Sequence, residues 1–421
     1  MNKALNSSNL RFILLLLILL SNFNSFILLF GIVVFGGILL LLNFTKSNLD
    51  ERVIFYFGLA LMAAAQFLFI YTSDYGKNFI INTSIALLLS CLALLCYLIV
   101  KSSVLNMNET FIKKLLNTFF LLNIVAIALQ YLWACYQTSS LVPFMVSIPS
   151  FGMSTGDHLK GLFVNSSVTM VVMGFYTIYY GVNKNKKVFI AAIAMLLTTY
   201  MSGILMFFAV LALFAFFTFS FKNKIKVLIG FLVLFGLLKT FSPHNLSYAE
   251  QIIFEKISSR TDPARKVISY QQTLENWISS PKSFLVGEGA GKFSSRAAFI
   301  TGGEYVDWFP NELVYKSQKF DENHFELWNN RILSIRYKDG THNQPFSFYN
   351  QIIGEFGLTG LLLFALYLFY YIKKWNTLTY GKIILPFMLG VFIYDYWFDY
   401  FSIIIFFELF MNLNLKRREV Q

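Results

Sequence analysis

Two arginines and one histidine offer the sharpest chemistry in this sequence. Arg260 and Arg265 stand close together, just ahead of and at the start of a run that reads as a helix. A guanidinium stays charged and presents a planar fork of donors that matches phosphate oxygens. A helix N-terminus adds its own attraction for anions. The plainer alternative is a contact with lipid headgroups or with a neighbouring carboxylate. His342 follows a turn-forming Asp339-Gly340 pair and precedes Asn343. The chain then enters an apolar segment through Asn350, Glu355, Gly357 and Gly360. An imidazole titrates near neutrality, so His342 could take a proton from an attacking hydroxyl. The four histidines, His158, His244, His324 and His342, show no metal-ligand spacing. Cys91, Cys96 and Cys135 lie in apolar runs and give neither a disulfide framework nor a zinc pattern. The expectation is therefore chemistry without a metal.

The elements that must position these residues are set by composition. Of 421 residues, 57% are hydrophobic, 13% are charged, and phenylalanine alone occurs 48 times. A soluble globule could not hide that much apolar surface, and the same numbers exclude a disordered chain. The reading is an all-α polytopic membrane protein. A spanning helix needs about 20 apolar residues. Single spans are expected at 53–71, 79–100, 115–136, 162–182, 227–241 and 350–372. Three longer stretches read as hairpins. One lies between Arg11 and Lys46, broken at Ser21–Ser25; one lies between Lys187 and Lys222, broken at Thr198–Gly203; the third is 383–413, broken at Asp395–Asp399. That makes about twelve helices. The N-terminal segment is read as a retained helix, because no small-residue cleavage site follows its apolar core.

Charge gives the direction. Alternate connectors carry Lys3 and Arg11, Lys46 and Arg52, Lys101 to Lys114, Lys184 to Lys187, Lys222 to Lys226, Lys373 to Lys382, and Lys416 to Arg418. The short connectors between them hold only Lys77 and Lys160. Positive residues collect on the cytoplasmic side, so both termini are expected inside. The net charge of +12 is then mostly a topology signal rather than a nucleic-acid footprint. Residues 1–241 form the first nine helices and 350–421 the last three. Between the ninth and tenth lies one large external loop, 242–349, whose own charge is nearly balanced. Such a long connection is usually functional or disordered, and its Trp277, Trp308 and Trp328 argue against disorder. Within it an amphipathic helix is expected over about 263–279. Asp262 would cap it, Pro263 would be its first residue, and Val267, Tyr270, Gln271, Leu274, Trp277 and Ile278 would lie on one face. A helix of this kind lies on a membrane surface. Gly287-Glu288-Gly289-Ala290-Gly291 reads as a tight turn, not as a nucleotide fingerprint.

The order of these features resembles the O-antigen polymerase and O-antigen ligase superfamily of bacterial membrane glycosyltransferases. Arg265, Tyr270, Pro281, Gly287, Gly289, His342, Asn343, Glu355, Gly357 and Gly360 follow that family's order. Gly161–Ser166 looks like its Gly-x-Phe-x-x-Pro-Asn element without the proline, and Leu197–Leu205 looks like its Leu-Thr-x-Ser-Arg-Ser-Gly-Ile-Leu element. Met201 stands where the family often has an arginine that the ligase branch uses on phosphate, which favours the polymerase branch. The resemblance implies glycosyl transfer at the outer face of the bacterial inner membrane. Donor and acceptor would be saccharides on undecaprenyl pyrophosphate, with no metal and no cofactor. It places Arg265 and Arg260 on the donor pyrophosphate, His342 on the acceptor hydroxyl, and Asn343, Glu355 and Asn165 in support. Trp308, Trp328, Tyr305 and Tyr315 are candidates for stacking on sugar rings, with ordinary loop packing as the alternative. Membrane lipids, a flippase and a chain-length regulator are the implied partners. The rivals are a ligase that passes finished glycan to lipid A-core, and a flippase or transporter. For a transporter, Asp395, Asp399 and Glu408 would be the ionisable residues to weigh.

Overall fold

The computed structural model describes residues 50–69, 76–145, 159–218, 220–251, 263–334 and 343–419, with a few positions among 31–37 and 254–259. The expected hairpin between Arg11 and Lys46 lies largely outside the described residues, as do Arg260, Asp262 and His342. Among the described residues all regular structure is helical and no strand occurs. Five helices are long and apolar enough to cross a membrane. They are α1 (Glu51–Phe69), α2 (Lys77–Asn106), α3 (Glu109–Thr138), α6 (Met201–Thr218) and α12 (Phe348–Lys373). Between and after these come α4 (Ser166–Val182), α5 (Lys187–Leu197), α7 (Phe221–Phe241), α13 (Gly381–Val391) and α14 (Phe401–Glu419).

Both described breaks fall where polar patches interrupt an apolar run. Thr198–Tyr200 separates α5 from α6, with Thr199 at φ 52°. Residues 392–400 separate α13 from α14, with a tight turn at Trp397–Asp399. The halves are unequal. α5 and α13 have 11 residues each, which rise roughly 17 Å, about half of a bilayer core.

The centre of the bundle is α14. Every residue from Phe401 to Leu415 is buried, the polar Ser402, Glu408, Asn412 and Asn414 among them. α2, α4 and α13 pack around it, and α1 bridges α2 and α12. One carboxylate sits in this core. Glu408 accepts hydrogen bonds from the hydroxyls of Tyr56 (2.9 Å) and Tyr367 (2.6 Å) and pairs with Arg52 at 3.2 Å. Arg52 also donates to Asp50 (2.7 Å), to Asn412 (2.7 Å) and to the Tyr371 hydroxyl (3.0 Å). Lys101 completes the group at 2.9 Å from Asp50. Buried charges persist when they are paired and hydrogen-bonded, and this network ties α1, α2, α12 and α14 at one point.

Candidate functional site

Between α7 and α12 lie, among others, the short helices α8 (Pro243–Gln251), α9 (Arg265–Ile278), α10 (Pro281–Val286) and α11 (Arg296–Thr301), and the last three build the site. The expected surface helix is α9. It begins at Arg265 rather than Pro263, and Ala264 precedes it without a side-chain cap. Its polar face is buried against the protein, while its apolar face is open at Leu274 and Ile278 and touches the protein through Tyr270 and Trp277. Lys266, Ser269, Thr273 and Asn276 are buried, while Leu274 is 48% and Ile278 72% exposed. The reason lies in what the inner face finds there. Lys266 Nζ donates to the carbonyl of Phe346 and, at 3.0 Å, to that of Tyr394. Ser269 accepts from Asn350 Nδ2 at 3.0 Å, and Asn276 donates to Glu288 at 3.0 Å. Buried carbonyls and carboxylates need donors, and α9 supplies them. Its outward apolar stripe is the face a bilayer surface would cover.

The glycine turn and the Glu-x-Gly-x-x-Gly segment are two halves of one lock. Gly287, Gly289 and Gly291 have φ of 73°, 112° and 79°. A Cβ on Gly287 would lie 2.4 Å from the Glu355 carbonyl carbon. The backbone N–H groups of Glu288 and Gly289 donate to the carbonyls of Gly354 (2.9 Å) and Glu355 (3.2 Å). The Glu355 carboxylate, fully buried, accepts from the N–H groups of Gly291 (2.9 Å), Phe293 (3.1 Å), Ser294 (2.9 Å) and Ser295 (2.8 Å). α12 opens at this point, with Gly357 at φ 58°. Glu355 thus holds the turn in place.

His324, which the sequence reading set aside, is the one histidine whose side chain is described. It is fully buried, with Nε2 at 3.1 Å from the Ser269 carbonyl and Nδ1 at 2.9 Å from Ser294 Oγ. A carbonyl only accepts, so Nε2 carries the proton and Nδ1 accepts from the serine. Burial holds the imidazole down at about 3, so it stays neutral and ties α9 to the turn.

Above this lock the loop converges on the α13–α14 break. Arg265 donates to the Leu327 carbonyl at 3.2 Å, next to Trp328. Trp328 packs on Tyr305 (5.4 Å) and Phe346 (5.1 Å), and Phe346 on Tyr396 (5.0 Å). Tyr396 stacks on Tyr400 at 5.9 Å, and the Tyr400 hydroxyl lies 3.4 Å from that of Tyr305. The Arg296 guanidinium lies 5.0 Å over the Tyr400 ring and donates to the Asp399 carbonyl at 3.1 Å. The Asp399 carboxylate accepts from the Arg296 N–H (3.1 Å) and from Gln351 Nε2 (3.2 Å). Burial raises the Asp399 carboxyl to about 6, offset in part by the Arg296 N–H. Burial also holds Lys266 below the usual ammonium range and Asp395 above the usual carboxyl range, each partly offset by attraction to the other.

The structure therefore brings Arg265, Trp328 and Tyr305 into one region. Asn343 is buried three residues before Phe346. It does not bring Trp308, Tyr315 or Asn165 there. Trp308 is 63% exposed and packs on Phe309. Tyr315 packs on Phe79. Asn165 caps α4, accepting from the Val168 N–H at 2.9 Å. Lys266, Arg296 and Tyr396 were not foreseen as site residues, and Asp395 and Asp399 only as ionisable residues of a transporter. Asp395 and Asp399 had a signal, as acids breaking an apolar run; Arg296 had none. Compared with protein-family models, curated proteins and solved structures, the chain matches none of them.

Proposed function

We propose that this membrane-embedded protein is a surface-polysaccharide polymerase of the O-antigen type. It would join undecaprenyl-pyrophosphate-linked repeat units by glycosyl transfer at the outer face of the bacterial cytoplasmic membrane, without a metal. The observation that carries this reading is the convergence of Arg265, aromatic rings and buried acids beside a helix whose apolar face points outward. The large segment is then the external loop, and the twelve-helix topology with both termini inside puts it where a lipid-linked sugar presents its headgroup.

In this reading the acceptor hydroxyl attacks the anomeric carbon of the donor sugar while the bond from that carbon to the pyrophosphate oxygen breaks. His342 takes the hydroxyl proton, and undecaprenyl pyrophosphate leaves with the bonding pair. Arg265, with Arg260, neutralises the charge that develops on the leaving group. Asn343 and Glu355 support the site, Glu355 by holding the turn that carries Phe293 to Ser295.

Purified protein in lipid nanodiscs, given undecaprenyl-pyrophosphate-linked repeat unit, should release undecaprenyl pyrophosphate and build a glycan ladder. A flippase or transporter releases none. In cells, a deletion strain carrying a single repeat on the lipid A-core supports the polymerase; a core bare of glycan points to the ligase.

Arg265→Ala should cost about 2–4 kcal/mol of transition-state stabilisation, a rate loss of roughly 30- to 1000-fold. Arg265→Lys keeps the charge but lacks the fork, so it should recover only part of the rate. Full polymerisation by Arg265→Ala would reject the assignment.

A further inference from the structure

No side chain caps the start of α9, since Ala264 precedes it. The first turn of such a helix frays unless the tertiary fold holds it. Here two side chains one turn apart do so. Lys266 Nζ donates to the carbonyl of Phe346 and, at 3.0 Å, to that of Tyr394. Four residues on, the same side of the helix presents Tyr270. Its hydroxyl donates to the Ile393 carbonyl at 3.1 Å and meets Ser347 Oγ at 2.6 Å. Both side chains thus hold the same two segments, at residues 346 and 347 in one and 393 and 394 in the other. Those segments are also tied to each other. The Phe348 N–H lies 3.1 Å from the Phe392 carbonyl and 3.0 Å from that of Asp395, and Ser347 Oγ donates to the Phe392 carbonyl at 3.0 Å.

The tie falls between the parts of the chain that the reaction would use. Arg265 is the residue before Lys266, and Asn343 is buried three residues before Phe346. Lysine suits the task. Its long stem carries an ammonium that makes charge-assisted bonds to both carbonyls. Asp395 attracts that ammonium, and a buried charge persists when it is paired and hydrogen-bonded.

We propose that Lys266, seconded by Tyr270, is a positioning residue. It registers the first turn of α9, and Arg265 with it, against the segment that runs from His342 and Asn343 into α12. The inference deepens the polymerase reading and rests on it for the reaction. Lys266 itself needs no contact with substrate; it fixes where Arg265 stands.

Lys266→Met alone would leave Asp395 buried without its counter-charge. The test therefore uses Lys266→Met/Asp395→Asn and, separately, Tyr270→Phe, which keeps the ring, both in full-length protein in nanodiscs. The readout is single-turnover release of undecaprenyl pyrophosphate. Its rate constant reports the chemistry of each folded molecule, and its amplitude reports how many molecules are folded. A misplacement of about 1 Å costs about 100-fold in rate. The double variant should lose about that much in rate constant, and Tyr270→Phe about tenfold. A wild-type rate constant in Tyr270→Phe, or in the folded fraction of the double variant, means that these side chains only support the fold and overturns the proposal, whatever the amplitude. The polymerase reading fails separately, when wild type releases no undecaprenyl pyrophosphate. Amide hydrogen exchange then still tests the tie. Either variant should speed exchange at Val267 and Ile268, whose N–H groups bond to the Ala264 carbonyl, about tenfold, and should leave Glu288 and Gly289 unchanged. Unaltered exchange at Val267 and Ile268 overturns the tie regardless of activity.

Discussion

Glu355→Ala should destabilise the fold more than any single surface change, by about 4 kcal/mol or more. The carboxylate is the acceptor for four buried backbone N–H groups, from Gly291 to Ser295. Leaving one buried donor unpaired costs roughly 1–3 kcal/mol, and methyl-sized alanine offers none of the four a partner. Losses of this size come from a short list of causes, among them a broken buried network. Glu355→Gln is the informative companion. Its one carbonyl oxygen can still serve Phe293, Ser294 and Ser295, while its amide group opposes the Gly291 N–H. A smaller loss, about 2 kcal/mol, is expected. Thermal unfolding of the solubilised protein checks the order: wild type highest, Gln between, Ala lowest. If Ala unfolds at the wild-type temperature, the turn is held by something other than this side chain.

His342→Gln should abolish polymer while the protein stays folded and in the membrane. A general base contributes about 10²–10⁴-fold in rate. Glutamine can hold the acceptor hydroxyl by a hydrogen bond but cannot take its proton. The contrast with His324 sharpens the test, since that imidazole is buried and neutral and bonds to Ser294 and the Ser269 carbonyl. His324→Gln should therefore lower the unfolding temperature, and His342→Gln should not. Single-turnover release of undecaprenyl pyrophosphate measures the chemistry. A wild-type rate in His342→Gln would mean that the residue orients the acceptor or is structural.

Much of the architecture was legible, because polar patches in apolar runs mark helix breaks locally. Thr198–Tyr200 and Asp395–Asp399 did so. The glycine turn was legible too, since closely spaced glycines point to positive φ. Its docking partner was not, because Glu355 lies 60 or more residues further along the chain. The period of α9 was readable and placed the helix within two residues at each end. Its buried polar face was not foreseen, because the partners of Lys266 lie 80 and 128 residues away. Arg296 sits among small residues with no local pattern, and only the tertiary fold sets it beside Asp399.

The burial of α14 has a consequence for biosynthesis. The ribosome makes α14 after α1, α2, α4 and α12, yet those helices surround or adjoin it. During synthesis they must hold the place that α14 will fill, with Arg52 already committed and Glu408 still to come. A charged side chain at the middle of a helix costs about 2.5–3.5 kcal/mol to insert. For Glu408 that cost falls if the helix moves from the insertion machinery directly against Arg52, Tyr56 and Tyr367. If α14 enters the membrane, as the proposed twelve-helix topology has it, entry and bundle closure are one event for this helix. A chain that lost Arg52 would be expected to stall there, with α14 held at the insertion machinery and open to the cell's membrane proteases.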